Sequence, residues 1–385
     1  MNFSLSEEHK MIKAAARDFA QKAKDGVIER DTQMAYPTEI VKEMGELGFM
    51  GIMTSPTYGG SGMDTLSYVL VMEELSKIDA SSSVIMSAHN SLVLYGLEVF
   101  GSDELKEKYL PSLASGASIG CFCLSEPEAG SDATSQQTTA IDKGDHYVLN
   151  GVKNWITNGG KADYHIVIAQ TDREKGHKGI NVFLVEKSWD GVEIGVKEDK
   201  LGIRSSDTHS IIYTDVKVPK ENRIGPDGFG FKFAMKTLEG GRIGIAAQAL
   251  GIAAGAYELA VEYAQIRKAF GKPIIEHQGV AFKLAEMAME IESARMLVYR
   301  AAILKDEGKP YGYASAMAKL KASEVAMQVT IEAVQVHGGN GYVKEYHVER
   351  LMRDAKITQI YEGTSEIQKI VLSRNIAKGD LQLPL

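Results

Sequence analysis

The spacing of apolar positions divides the chain into three stretches. Residues 1–117 carry mostly helical periodicity. Ser6, followed by Glu7, Glu8 and His9 and then an apolar-periodic run, reads as a helix start. Val69, Met72 and Leu75 recur at helical spacing. The run PTYGGSG over 56–62 is a loop by its punctuation. From about residue 118 the pattern changes. Residues 164–169, 180–185 and 210–218 read as strands rich in branched side chains. Asn150-Gly151, between apolar flanks at 147–149 and 152–155, predicts a two-residue hairpin turn. From about residue 228 the helical period returns and stays, over 282–304 and again over 314–336. The reading is a multidomain α and β chain: an N-terminal helical domain over 1–117, a middle β domain over 118–227 and a C-terminal helical bundle over 228–385. There is no internal repeat and no low-complexity segment.

Composition narrows the function classes. The 385 residues are 44% hydrophobic and 24% charged, as in an ordinary globular protein. A net charge of -8 argues against a nucleic-acid binder, while leaving room for a phosphate-bearing ligand held by a few local donors. The two cysteines, Cys121 and Cys123, would share one face of a strand, where a disulfide between them is strained. No third cysteine completes a Cys-rich zinc site, no two histidines stand at metal-ligand spacing, and no metal is expected. A reducing compartment follows: the cytoplasm, or the mitochondrial matrix for a mature eukaryotic chain. The start MNFSLSEEH has neither the basic nor the apolar region of a secretory leader. The longest uncharged apolar stretch, 243–257, is too short to span a bilayer and predicts a closely packed helix.

Candidate chemistry lies in a few segments. There is no Gly-x-Gly-x-x-Gly, which disfavours a nicotinamide dehydrogenase, and neither a phosphate loop nor His-Glu-x-x-His is present. CFCLSEPEAGSD over 121–132 is a strand ending in a turn, either a plain exit or a cradle whose backbone N–H groups hold an anion. In NWITNGG over 154–160, Trp155 and Thr157 fall on one side of a strand. RKAFGKP over 267–273 reads as a helix end capped by Gly271 and stopped by Pro273. YEGT over 361–364 is a loop between two helices. Ser365 with Gln368 forms a capping-box pattern, which puts Glu362 just ahead of a helix N-terminus.

Taken in order, these segments resemble the acyl-CoA dehydrogenase family over nearly the whole chain, and closely its short-chain, butyryl-CoA members. The resemblance implies a β-barrel-like middle domain, a C-terminal four-helix bundle and FAD as cofactor. It places Phe122, Cys123, Leu124, Ser125, Gly130 and Ser131 along the flavin and its pyrophosphate, with Ser131 also touching substrate. Trp155 and Ile156 lie at the isoalloxazine, and Thr157 brings its hydroxyl to N5. Arg267, Phe270, Gln278, Gln335, Val336, His337, Gly338 and Gly339 reach the cofactor from a neighbouring subunit, implying a homotetramer built as a dimer of dimers. Thr364, Ser365 and Glu366 are further flavin contacts, and Glu239, Gly240, Gly241, Arg242 and Gly363 contact substrate.

The implied reaction is dehydrogenation of a short-chain acyl-CoA to the trans-2-enoyl-CoA. Glu362 removes the α proton and flavin N5 takes the β hydride. Some branched- and long-chain relatives carry the base at the position matching Gly241. Glu239, two residues away on a helix, would point about 200° from there and is not that base. Electron-transferring flavoprotein is the implied electron acceptor. The alternatives are a short branched-chain dehydrogenase and a non-catalytic FAD- or acyl-CoA-binding scaffold; an acyl-CoA oxidase would be a longer chain. Segments 84–92, 197–204 and 241–251 resemble short-chain members. Ser83 stands where glutaryl-specific relatives carry an Arg, and Leu94 and Tyr95 are candidates for the pocket floor.

Overall fold

The computed structural model describes residues 4–379; Met1 to Phe3, the start of the segment read for a leader, lie outside the described residues. Seven α-helices come first: α1 (Glu7–Ala23), α2 (Val27–Gln33), α3 (Thr38–Glu46), α4 (Thr65–Ser76), α5 (Ala80–Ser87), α6 (Tyr95–Phe100) and α7 (Asp103–Ala114). Ser6 caps α1 as expected, its hydroxyl accepting from the His9 N–H, with Glu7 and Glu8 in the first turn where the helix dipole favours them. Every residue of α4 is buried. It tolerates two adjacent glutamates because Glu73 meets Arg295 at 2.9 Å and Glu74 meets Arg17 and Lys77.

Between α5 and α6, residues 88–94 wind as a π-helix, a form that often marks functional sites. The segment bridges two parts of the molecule. A side chain added at Gly241 would meet Leu92 at 2.8 Å, and one added at Gly120 would overlap Val93.

The middle of the chain is one curled seven-stranded sheet: β1 (Gly120–Cys123), β2 (Thr139–Asp142), β3 (His146–Thr157), β4 (Tyr164–Gln170), β5 (Ile180–Glu186), β6 (Val192–Lys197) and β7 (Thr208–Pro219). β4 pairs with β1 in parallel and with β5 antiparallel, and its end touches β2; β2, β3, β7 and β6 then follow antiparallel. Cys121 and Cys123 are buried, free, and on one side of β1, with 3.6 Å between their sulfurs.

The hairpin expected at Asn150-Gly151 does not form; β3 runs straight through it. An Asn-Gly pair makes a turn only where its flanks are free to pair with each other. Here β2 and β7 already occupy both sides of β3. Asn150 instead locks onto β7: its Nδ2 donates to Asp215 at 2.9 Å, and its Oδ1 accepts from the Asp215 N–H at 2.8 Å. Gly151 (φ 151) takes up a bulge, and a Cβ there would overlap the Thr138 hydroxyl.

The C-terminal part holds α8 (Gly230–Ile266), a short hairpin of β8 (Lys268–Ala269) and β9 (Lys272–Pro273), then α9 (Gln278–Asp306), α10 (Gly312–His337), α11 (His347–Ile357) and α12 (Ser365–Lys378). α8 is long and apolar enough to cross a membrane, yet 83% of its apolar window is buried inside the chain. Its glycines let α4 come close: a Cβ at Gly255 would overlap the Lys77 carbonyl at the end of α4. α8 stops at Ile266, well before the cap expected at Gly271. Phe270 (φ 51) and Gly271 (φ 82) are both left-handed, which suits a two-residue hairpin turn rather than a helix end. Gly151→Ala, in the bulge of β3, should lower stability by about 2 kcal/mol, read as a fall in the melting temperature of the purified protein with its secondary structure unchanged.

Candidate active site

Between α11 and α12 the chain passes through two consecutive left-handed residues, Glu362 (φ 52) and Gly363 (φ 92). A glutamate in that conformation costs about 1–2 kcal/mol, so its surroundings must hold it there. Thr364 caps α12, its hydroxyl accepting from the Ile367 N–H at 3.3 Å, and Ser365 is the first helical residue. The cap therefore lies one residue before the one predicted. Gln368 explains the difference. Its Nε2 does not complete a capping box but donates to the carbonyls of Gly363 at 2.8 Å and Glu362 at 3.3 Å. From α10, Lys319 Nζ donates to the same Gly363 carbonyl at 2.7 Å.

Held this way, the Glu362 carboxylate lies on α8 at Gly241, where any Cβ would overlap Oε2. The residue is half-buried overall, but Oε2 is shielded from solvent and has no hydrogen-bond partner among the described residues. Burial pushes this carboxyl up to about 7, while Lys319 and then Arg242 pull it back down. Arg242 is itself buried, its Nε without an acceptor; burial lowers its pKa, while Glu239 and Glu362 raise it. Glu239, on the same helix, reaches toward the head of α10, where its Oε1 would lie 3.0 Å from a Cβ at Gly312. Gly240 is buried beside Gly241 on α8.

A second group gathers on the outer side of β1 and β3. The Ser125 carbonyl accepts from the Asn154 N–H at 2.9 Å, tying the exit of β1 to β3. Beneath this exit is a knot of buried polar groups. Lys153 Nζ, with no exposure, donates to Glu126 at 2.7 Å, to the Leu124 carbonyl and to Gln136. Glu126 also accepts from the N–H groups of Gln137 and Thr138. Past the knot, Gly130 and Ser131 are exposed. Phe122 and Leu124 are partly buried against the core, and Cys123 points into the barrel. Trp155 (φ 56) sits in a bulge of β3 and is 56% exposed, with Ile156 turned inward and Thr157 on the outer side again. An exposed indole held in a left-handed backbone, next to an open loop with free N–H groups, fits the flat apolar ring and charged linker of a flavin nucleotide. The π-helical segment joins this group to the first, since Val93 covers Gly120 and Leu92 reaches Gly241.

The remaining predicted residues lie elsewhere. Arg267, Val336, His337, Gly338 and Gly339 line a cavity of about 320 Å³, with Tyr263 stacked on His337 at 4.3 Å. Gln335, Gln278 and Phe270 are exposed nearby, with the Phe270 ring 5.9 Å from that of His277. Lys319, beside Glu362, and His337 are 18 residues apart on α10, or about 27 Å at 1.5 Å per residue. One chain therefore brings the β1/β3 face and the Glu362 loop together and leaves the Arg267 group at the far end of the bundle.

Residues 6–117, 121–216 and 228–377 match the models of the N-terminal, middle and C-terminal domains of acyl-CoA dehydrogenases. The chain belongs to the acyl-CoA dehydrogenase family. It is 52% identical to the short-chain-specific acyl-CoA dehydrogenase of Clostridium acetobutylicum, over 98% of this chain and 100% of that one. Butyryl-CoA dehydrogenase from Megasphaera elsdenii superposes with a TM-score of 0.96 at 50% identity, covering 98% of this chain and 100% of that one. A chain from a structural study of the electron transferring flavoprotein of Acidaminococcus fermentans also superposes at 0.96, with 51% identity and coverage of 98% and 99%.

Acyl-CoA dehydrogenases carry FAD, and the Trp155 face is the part of this chain that suits the flavin. Sequence reasoning missed Lys319 and the Lys153–Glu126 pair, which hold the site in shape, and read Gln368 only as part of a cap. The signal for Lys319 was present, as a lysine on the helix face carrying Ala318, Ala322 and Ala326, all of them buried.

The raised carboxyl has a stability consequence. Folding lifts Glu362 from the ordinary carboxylate range to about 7, so its contribution is present below the unfolded pKa and is lost as pH rises through 7. Glu362→Gln should therefore melt like the wild type at pH 4 and higher than it at pH 8.5. Equal melting temperatures at pH 8.5 would show the carboxylate to be better solvated than its surroundings indicate.

Proposed function

We propose that this chain catalyses the FAD-dependent α,β-dehydrogenation of a short-chain acyl-CoA to the trans-2-enoyl-CoA, with Glu362 as the base. The observation that carries the assignment is the Glu362 carboxylate: shielded, without a hydrogen-bond partner, poised near neutrality and lying over a glycine on α8. A base for the weakly acidic α proton of a thioester gains from a pKa near the working pH. Leaving Oε2 unpaired keeps it free to accept that proton. FAD, held against the Trp155 face, would supply the acceptor for the hydride leaving the β carbon. The charge that develops on the thioester oxygen needs a donor. The Glu362 N–H suits this role, since it donates to no described residue and the left-handed turn fixes its direction. Arg242, with its unpaired Nε, is the cation on the substrate side of α8.

The acyl chain is proposed to be straight and short. Ser83, at the position where glutaryl-specific relatives place an Arg, is fully buried, and its hydroxyl is engaged by the Ala80 carbonyl and Gln248. A second carboxylate there would lack a cation and cost about 3 kcal/mol or more. Leu94 and Tyr95 remain the proposed floor, with Leu94 buried in the core next to Val93. Anaerobic mixing with butyryl-, hexanoyl-, octanoyl-, isobutyryl- and glutaryl-CoA tests the reading. The fastest flavin bleaching is expected with butyryl-CoA, and Glu362→Gln should retain FAD and bind ligand while losing bleaching. Turnover of that variant within tenfold of the wild type would overturn the base assignment.

The working form is proposed to be a homotetramer, a dimer of dimers, passing its electrons to an electron-transferring flavoprotein in the cytoplasm. The separation of the Arg267 group from Glu362 supports it, because a cofactor contacting both would need two copies. Apolar surface supports it too. Phe282, Met289, Met296 and Ile303 recur every seven residues along α9 and are all exposed, and Phe270 is 97% exposed. Arg267→Ala should weaken FAD retention at least tenfold and leave the bleaching rate of the FAD-loaded enzyme within a few-fold of the wild type. A monomer by light scattering that is fully active with tightly bound FAD would refute the oligomer.

A further inference from the structure

We infer that Lys319 is a positioning residue for the base: its ammonium, entering from the middle of α10, holds the Gly363 carbonyl and supplies the cation that faces the Glu362 carboxylate. The inference rests on the assignment of Glu362 as base. Lys319 has no solvent exposure and stands among buried Ser315, Ala316, Ala318, Ala322 and Ser323. Among the described residues no carboxylate pairs with it directly; its hydrogen bond goes to the Gly363 carbonyl at 2.7 Å. That carbonyl does not need an ammonium, because the neutral Gln368 amide already donates to it at 2.8 Å. What Lys319 adds is charge. Burying a charge is costly, so a lysine here, where a neutral donor would satisfy the carbonyl, calls for an electrostatic role.

The charges around the site identify that role. Burial pushes Lys319 down to about 8, Glu362 pulls it up, and Arg242 pushes it down again. In return, Lys319 is the first of two cations that favour the ionised form of Glu362, Arg242 being the second. The other groups facing the carboxylate are phenols: Tyr68 from α4 and Tyr361 on the loop itself, both held neutral by burial. Behind these, Glu366 of α12 faces Lys319, Glu239 faces Arg242 and Asp354 of α11 faces Tyr361. Without Lys319, Arg242 alone would offset the burial of Glu362, and the balance would shift further toward the protonated form.

The test is the pH dependence of anaerobic flavin bleaching by butyryl-CoA between pH 5.5 and 9, using FAD-loaded wild type, Lys319→Met, Lys319→Gln and Glu362→Gln. Wild type should gain rate through a limb near pH 7. In both Lys319 variants the limb should move up by about one pH unit, making bleaching about fivefold slower at pH 7 and close to wild type at pH 9, with KM little changed. Gln keeps a neutral donor, so a limb restored to its wild-type position in Lys319→Gln would reduce Lys319 to a loop staple and overturn the inference. A limb unmoved in Lys319→Met, a loss by the same factor at every pH, or failure of both variants to fold would also overturn it. If Glu362→Gln itself turns over within tenfold of wild type, the base assignment is what fails, whatever the Lys319 variants do.

Discussion

The site depends on one close approach, that of the Glu362 carboxylate to α8 at Gly241. No side chain fits between them. To reach that place, the loop after α11 must take two left-handed residues in succession, one of them a glutamate. The local strain is opposed by three hydrogen bonds: the Ile367 N–H donates to the Thr364 hydroxyl, and the Gln368 amide and the Lys319 ammonium both donate to the Gly363 carbonyl. Each is on or against a helix of the C-terminal bundle, so the Glu362 carboxylate is as well placed as the bundle is rigid.

The same approach sets the chemistry. A carboxylate pressed against a helix backbone loses water, which raises its pKa, and only nearby cations limit the rise. Arg242 and Lys319 supply those cations from α8 and α10 without forming a direct ion pair with it. A tight salt bridge would have satisfied Oε2 and depressed its pKa. On the other side of the site, the opposite solution is used for a purely structural task. Lys153 and Glu126 are in direct contact and fully hydrogen-bonded, and together they anchor the loop that leads to Gly130 and Ser131. Two buried lysines in one molecule thus play contrasting parts, decided by whether a carboxylate is within reach of the ammonium.

Several local features were readable from sequence because they arise from short-range physics. Ser6 caps α1 wherever that helix lies, and the branched runs at 164–169 and 180–185 form strands. The errors came where a local signal met a tertiary competitor. Asn150-Gly151 is a sound turn signal, but β2 and β7 had already claimed both edges of β3. Ser365 with Gln368 is a sound capping box, but Gln368 was drawn to the carbonyls of Glu362 and Gly363. Gly271 is a plausible helix cap, but Phe270 joined it in a left-handed turn, and the helix ended earlier.

By itself the sequence determined the family and the order of helical and β segments, and it nominated Glu362 as the base, because the motifs around Trp155, Arg267 and Glu362 survive as short strings whose meaning does not depend on distance. Only the tertiary structure decided which of those strings share a site. Residues 241 and 362 are 121 positions apart and meet, whereas Lys319 and His337 lie on one helix and stand about 27 Å apart. It also decided what a buried charge does. Nothing in the string around Lys319 says whether its ammonium will face a carboxylate, a carbonyl or water. That depends on which helices pack against α10, and packing is settled by the whole core at once.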